Sequence, residues 1–176
     1  GSLHTEDEIT ITNNYAFSKY AGELAAARVP STILRTNFVG RSQVSHRESL
    51  SDWLYNAVTS GQHLQVLSDV YFSPLSITLL AEMIELVVRK KPVGIFNLGS
   101  HNGMSKADFD FIFAECLKLP TNNMTRIESS QAIFFKANRP KDMRMNSSKF
   151  ENLLGIKLPD LTDIIHQIVR EYNENA

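Results

Sequence analysis

Apolar positions along the chain recur mainly at helical spacing, with short strand-like runs between them. Residues 13–28 read as a helix rich in Ala and Glu that ends before Pro30. Residues 31–36 read as a buried strand, and a polar loop follows from Arg41 to Glu48. Leu50, Trp53, Leu54, Ala57 and Val58 return at helical intervals until Gly61 stops them. Leu64 to Leu67 is a short strand. Ile77, Leu80, Ala81, Ile84, Val87 and Val88 form a second apolar stripe, ended by Lys90, Lys91 and Pro92. Gly94 to Gly99 alternates as a strand does.

Ser105-Lys106-Ala107-Asp108 has the spacing of a capping box, with Asp in the Glu place. Phe109, Ile112, Phe113, Cys116 and Leu117 then make a third stripe, closed by Pro120. Met124 to Glu128 reads as a strand. Ser147 caps a short helix through Leu154, with Gly155 beyond it. Asp160 caps a terminal helix striped by Leu161, Ile164, Ile165, Ile168, Val169 and Tyr172. Helices and strands intermix without repeats or low-complexity tracts, so the fold class is α/β.

Composition adds mostly exclusions. A chain of 176 residues with 43% hydrophobic and 21% charged content suits one domain with a core. The net charge of −1, from 18 basic and 19 acidic residues, offers no footprint for nucleic acid or an anionic membrane. The longest apolar run, near Leu79 to Val88, is too short to span a bilayer and is broken by Glu82 and Glu85. Residues 1–8 are polar and acidic, unlike a signal peptide, and the single cysteine fits a reducing compartment, so a cytoplasmic location is expected. Cys116 lies on an apolar stripe and is expected to pack rather than react. The five histidines show no metal spacing, and no metal is expected.

The candidate chemistry is concentrated in Asn13-Asn14-Tyr15-Ala16-Phe17-Ser18-Lys19. Tyr15 and Lys19 stand four apart, on one helix face and one turn from each other. An ammonium one turn from a phenol favours the phenolate, and such a phenol can exchange a proton with a substrate oxygen. A half-buried Tyr beside a solvated Lys is the alternative for the bare pair.

With Asn13, Ser18 and Glu23 around the pair and the strand Leu34-Arg35 running into Gly40, the stretch resembles the extended short-chain dehydrogenase/reductase family. Within it the dTDP-4-dehydrorhamnose reductase group is most similar. The family's usual Pro four before the Tyr is Ile11 here. Asp69-Val70-Tyr71-Phe72-Ser73-Pro74-Leu75 resembles the segment that enters a substrate-domain helix. Arg139-Pro140-Lys141-Asp142 and the Leu154-Gly155 ending are similar to stretches of sugar-nucleotide epimerases and reductases.

A dinucleotide site needs a Gly-rich turn between a strand and a helix. None of the 8 glycines supplies it, and Gly94, Gly99 and Gly103 are too widely spaced. In the resembled family that motif, and the Ser or Thr that assists the Tyr, lie upstream of it. The expectation is therefore the C-terminal part of an NAD(P)-binding Rossmann-type enzyme. Residues 1–40 would be a remnant of the Rossmann domain and residues 41–176 the smaller substrate-binding domain.

The resemblance implies roles residue by residue. Tyr15 is the acid/base and Lys19 its electrostatic partner and ribose contact. Thr36, Asn37 and Phe38 end the Leu-Arg strand, where cofactor contacts fall, with Phe38 also facing the sugar. Local pairing for Thr36 and a core position for Phe38 are their alternatives. Arg139 is the candidate diphosphate clamp, with a surface ion pair to Asp142 as its alternative. Tyr71 and Phe72 are either pocket or packing residues.

The implied cofactor is NADP or NAD, and the implied substrate is a nucleotide-diphosphate sugar. The implied reaction is reduction of a 4-keto-6-deoxy sugar, with the N-terminal Rossmann half as a required partner and a homodimer left open. Epimerase or dehydratase chemistry is the near alternative. A non-catalytic regulator of the same fold, like the regulatory subunit of methionine adenosyltransferase, is a further one. The isolated chain is expected to be inactive.

Overall fold

The computed structural model describes residues 3–44, 46–132 and 140–174. Helix α1 (Asn14–Ala26) opens on Asn13, whose side chain accepts from the Ala16 backbone N–H at 2.9 Å. Its inward positions, Ala16, Tyr20, Glu23 and Ala26, are only partly buried, and none of its residues is fully buried. What holds it is polar. The Arg35 guanidinium donates to both Glu23 carboxylate oxygens, at 2.9 and 2.7 Å, and to the Glu6 carbonyl at 2.7 Å. Arg35 stands in β1 (Thr32–Thr36), so one fork ties helix, strand and N-terminal segment together.

β1 pairs in parallel with β6 (Gly94–Leu98), Thr32 opposite Gly94 and Thr36 opposite Leu98. All five β1 residues are partly exposed, a departure from the buried strand that the sequence pattern predicts. The layer that carries α1 and β1 thus takes its second strand from well beyond residue 40. β2 (Phe38–Val39) pairs with β5 (Leu75–Ser76), and β3 (Leu64–Leu67) with β8 (Met124–Ile127), both in parallel. β4 (Tyr71–Phe72) lies between β7 (Met104–Ser105), antiparallel, and β9 (Asp142–Met143), parallel. Parallel pairs need crossovers, and the intervening helices supply them, which confirms the α/β class.

The core gathers around two helices. α4 (Lys106–Cys116) contributes Phe109, Phe113 and Ala114, and α6 (Leu161–Asn173) buries all six residues of its stripe. α2 (Leu50–Thr59) adds Leu54, Ala57 and Val58. A file of rings runs from the sheet to the terminal helix: Phe72 to Phe109 at 5.3 Å, Phe109 to Phe113 at 6.1 Å, Phe113 to Tyr172 at 5.4 Å. At its end the Tyr172 hydroxyl donates to Asp52 at 2.7 Å, and burial pushes the phenol well above its ordinary pKa. Asp52 also closes a full capping box with Ser49 and accepts from the Ser42 backbone, which straps the 41–49 loop to this corner. Burial acts upward on Asp52, but these hydrogen bonds outweigh it and hold the carboxyl below its usual range.

α3 (Ile77–Lys90) departs from the pattern. Of its six-residue apolar stripe only Val87 is buried, while Ile77, Ile84 and Val88 are exposed. Amphipathic spacing predicts an apolar face, and among the described residues nothing covers this one fully. Two capping expectations also change. Asp160 sits at the N-cap of α6 without a capping bond from its side chain. Ser147 precedes α5 (Ser148–Leu154), but its hydroxyl joins the Gly99 backbone instead, accepting at 2.9 Å and donating at 3.0 Å. Gly99 and Gly103 serve close packing: a Cβ at either would stand 2.7 or 2.6 Å from the carbonyl oxygen of Ser73 or Phe72. Cys116 is a free, half-buried thiol packed against the core. Among the described residues no helix is long and apolar enough to cross a membrane.

Two predictions follow from this packing. Arg35→Ala leaves Glu23 half-buried without its partner and should cost about 2–4 kcal/mol, read by urea unfolding. Hydrogen exchange should rise in α1 before it rises in α6; a uniform rise would refute the clamp.

The second concerns Asp110, in α4, which is 4% exposed and has a carboxylate oxygen without a hydrogen-bond partner among the described residues. Burial pushes this acid up to about 7, with Lys106 pulling it down only in part. A folded-state pKa above the unfolded one gives stability that is full below pH ~4 and is lost as pH rises through ~7. Asp110→Asn should therefore gain on the wild type by about 2–4 kcal/mol between pH 4 and pH 8. Thermal unfolding at both pH values checks this, and a pH-independent difference would disprove it.

Candidate active site

Asn13 caps α1, so Tyr15 falls in the helix's first turn with its side chain 72% exposed. One turn on, the Lys19 ammonium stands 5.4 Å from the centroid of the Tyr15 ring. The sequence-derived pair is thus brought together on one face. Ser18 turns away from it, its hydroxyl donating to the Tyr15 carbonyl at 2.9 Å.

Tyr15 opens onto a cleft of about 760 Å³. One wall comes from the segment leading into α1 and its first turn, with Thr10, Thr12, Asn13 and Ala16 beside the phenol. The facing wall is Leu67, Val70, Pro140 and Met143, with Lys106 as its cation. A polar wall against an apolar one, with few charged groups, is the usual make-up of a small-molecule site. Lys19 itself lines a neighbouring hollow of about 190 Å³ with Glu8, Tyr20, Glu23 and Arg35. The clamp on α1 therefore also shapes the site.

The chain end of β1 is arranged differently. The Thr36 hydroxyl donates to the Asn37 carbonyl at 3.2 Å, the local pairing that the sequence left open. That carbonyl also accepts from the Leu75 N–H at 3.0 Å, while the buried Oδ1 of Asn37 has no hydrogen-bond partner among the described residues. Phe38 is 58% exposed rather than part of the core. None of the three is among the described residues that line the Tyr15 cleft. Arg139 lies outside the described residues. Its alternative partner, Asp142, is held by Arg144 through two bonds, at 2.9 and 2.6 Å. Tyr71 is 36% exposed with the Arg144 guanidinium 4.9 Å from its ring centroid, whereas Phe72 is buried in the core.

Sequence reasoning misses Thr10, Thr12, Lys106 and Met143 as cleft residues. Lys106 is hidden inside a capping pattern, whose Ser105 does cap α4 by accepting from Asp108 at 3.0 Å. The other three lie in a loop or in a two-residue strand, where no periodicity marks a face. Among the described residues no cluster of His, Cys, Asp and Glu could hold a metal ion.

The RmlD substrate binding domain family matches residues 2–174. No curated protein matches the chain. Among solved structures, a dTDP-4-dehydrorhamnose reductase from Clostridium acetobutylicum superposes with a TM-score of 0.86 at 19% identity, covering 98% of this chain and 61% of that one. The Bacillus anthracis dTDP-4-dehydrorhamnose reductase in complex with NADP gives 0.82 at 19% identity, covering 96% and 59%. The Bacillus anthracis dTDP-glucose 4,6-dehydratase in complex with NAD gives 0.79 at 16% identity, covering 99% and 56%. The chain thus spans about three fifths of the length of these proteins. At such identities the likeness establishes the fold, and the family match establishes membership: the chain belongs to the RmlD substrate binding domain family.

Proposed function

We propose that this chain is the C-terminal, substrate-binding portion of an NAD(P)-dependent reductase acting on a 4-keto-6-deoxy nucleotide sugar. The observation that carries the proposal is Tyr15, paired with Lys19 at 5.4 Å, opening onto a cleft of ligand size. In this reading residues 1–40, together with β6 paired to β1, belong to the cofactor-binding layer, and most of the rest of the chain belongs to the substrate domain. A Gly-rich dinucleotide-binding portion completes the cytoplasmic enzyme. The orphaned Oδ1 of Asn37, at the carboxyl end of a parallel strand, suits a cofactor donor, because ligands of open α/β sheets bind at that end. Lys19 would hold the cofactor ribose, and Thr36 and Phe38 would border it; Arg139 would clamp the diphosphate.

The bound nicotinamide supplies a hydride for the keto carbon. The chain's own residues do the proton work. As the carbonyl oxygen gains charge, the Tyr15 phenol donates its proton to it, leaving a phenolate that the Lys19 ammonium stabilises. Thr10, Thr12 and Asn13 offer hydrogen-bonding groups on the same wall for the sugar hydroxyls. Dehydratase or epimerase chemistry is the second reading, favoured by the comparable fold of the dehydratase.

The test is NADPH oxidation by the full-length protein with a dTDP-4-keto-6-deoxy sugar. Tyr15→Phe should lower kcat by about 10²–10⁴ with little loss of stability, since the side chain is mostly exposed. Undiminished turnover by this variant would refute the assignment. Lack of turnover by the wild type, with intact ligand binding, would point to a non-catalytic regulator. Product analysis separates reduction from dehydration or epimerisation.

A further inference from the structure

The apolar wall that faces Tyr15 across the cleft is made of Leu67, Val70, Pro140 and Met143. Leu67 and Val70 pack with Ala132 in a small cluster separate from the main core, against the partly buried Ile127 and Met143. These residues come from three stretches of chain: 67–70 at the end of β3, 127–132 at the end of β8, and 140–143, which ends in β9. The Val70 carbonyl ties the first stretch to α4 by accepting from the Lys106 N–H at 2.8 Å. Burial energy scales with the apolar area removed from water, so a cluster this small fixes its own shape only weakly.

One carboxylate joins the three stretches. The Oδ1 of Asp69 accepts from the Ser129 backbone N–H at 2.7 Å. Its Oδ2 accepts from the Ser129 hydroxyl at 2.8 Å and from the Lys141 ammonium at 2.7 Å. Asp69 directly precedes Val70, Lys141 directly follows Pro140, and Ser129 opens the 3-10 turn that leads to Ala132. Backbone bonds set the register around this knot: Ser68 donates to the Ile127 carbonyl at 2.9 Å, and Tyr71 to the Lys141 carbonyl at 2.7 Å. Burial acts upward on Asp69, but Lys141 and Ser129 outweigh it and hold the acid at about 2, so it is ionised throughout the neutral range. An ionised carboxylate accepts on both oxygens, whereas an amide would accept on one atom and turn donors toward donors on the other. The Lys141 side chain is 63% exposed, and an ion pair of that kind contributes little alone. The two charge-assisted bonds from Ser129 are the stronger part of the knot.

We propose that Asp69 is a positioning residue for substrate binding: by holding Ser129 and Lys141 on one carboxylate, it fixes the apolar wall on which the sugar of the nucleotide sugar packs opposite Tyr15. This deepens the reductase reading and rests on it. The phenol acts on the sugar's carbonyl, so the group that lies across the cleft from it is the sugar. Asp69 itself touches no reacting atom. A wall that shifts loses van der Waals contact with the sugar, while Tyr15 and Lys19 are held on the other side by the Arg35 fork and keep their places. The effect of Asp69 therefore falls on affinity for the sugar and not on proton transfer.

The experiment is calorimetric titration of the full-length protein and its Asp69→Asn, Lys141→Gln and Lys141→Arg variants with dTDP-glucose, dTDP and NADPH. Asp69→Asn should weaken dTDP-glucose by about tenfold, while dTDP, which lacks the sugar, and NADPH stay within about twofold. Lys141→Gln should weaken dTDP-glucose by about threefold, and Lys141→Arg should bind it as the wild type does. In turnover of a dTDP-4-keto-6-deoxy sugar, Asp69→Asn should raise KM far more than it lowers kcat. Circular dichroism and Tm check that each variant folds, and Lys141→Gln carries the same test should Asp69→Asn not fold. Equal dTDP-glucose affinity in wild type and a folded Asp69→Asn, or no dTDP-glucose binding by the wild type, overturns the inference. Equal losses for dTDP-glucose, dTDP and NADPH overturn it too, because they mark a general loosening of the fold. Undiminished turnover by Tyr15→Phe with Asp69-dependent dTDP-glucose binding would sink the catalytic reading and leave this wall standing.

Discussion

The Arg35–Glu23 fork is the constraint on which the placement of Tyr15 and Lys19 depends. Helix α1 buries no side chain, so the apolar packing that stabilises most protein helices is largely missing from it. A planar guanidinium that satisfies both carboxylate oxygens and a backbone carbonyl fixes the angle and register of α1 against β1. Lysine could supply the charge but not the fork. Glu23 lies one turn from Lys19 and two from Tyr15, so the pair's orientation follows from this contact. The Leu-Arg strand and the Glu after the Lys, which look like separate motif fragments in the sequence, are two halves of one device.

The opposite end of the molecule is built differently. There the terminal helix α6 buries a full stripe and carries the stability. The file of Phe72, Phe109, Phe113 and Tyr172 links the strand beside the cleft to the loop strap at Asp52. The facing wall of the site, Val70 and Lys106, hangs on this rigid core through β4, β7 and the start of α4. One wall is therefore clamped by charge and the other by packing.

Much of this was legible in the residues. The stripe at 3.6 spacing gave α6 in full, with all six residues buried, and α4 in part, with Phe109 and Phe113 buried and Ile112, Cys116 and Leu117 half-buried. The same rule misjudged α3: periodicity reports an apolar face and is silent about what covers it. The two-residue strands β2, β4, β5, β7 and β9 were invisible, since a period of two cannot show in two residues. Tyr15 and Lys19 could be read because helical spacing alone puts them together. Lys106 could not, because its partner wall is assembled from residues 90 positions away. Ser147 and Asp160 looked like caps by type, yet the Ser147 hydroxyl pairs with the Gly99 backbone instead, and the Asp160 side chain makes no capping bond.

A further constraint comes from the exposure of Tyr15. Proton transfer to a developing alkoxide is efficient where water is excluded and fixed donors replace it. Here the phenol is mostly exposed, as are Phe17 and Leu24 on the same helix and Phe38 at the end of β1. Under the proposed reading, the apolar side chains on this layer and a solvent-facing Tyr15 make the same demand: that surface would have to be covered for proton transfer to run well. The apolar wall of Leu67, Val70, Pro140 and Met143 dries only one side of a bound sugar. Under the proposed reading, the nicotinamide and its binding portion dry the other. Binding and proton transfer would then be separable properties: the cleft recognises the ligand, and covering of α1 makes Tyr15 an effective acid.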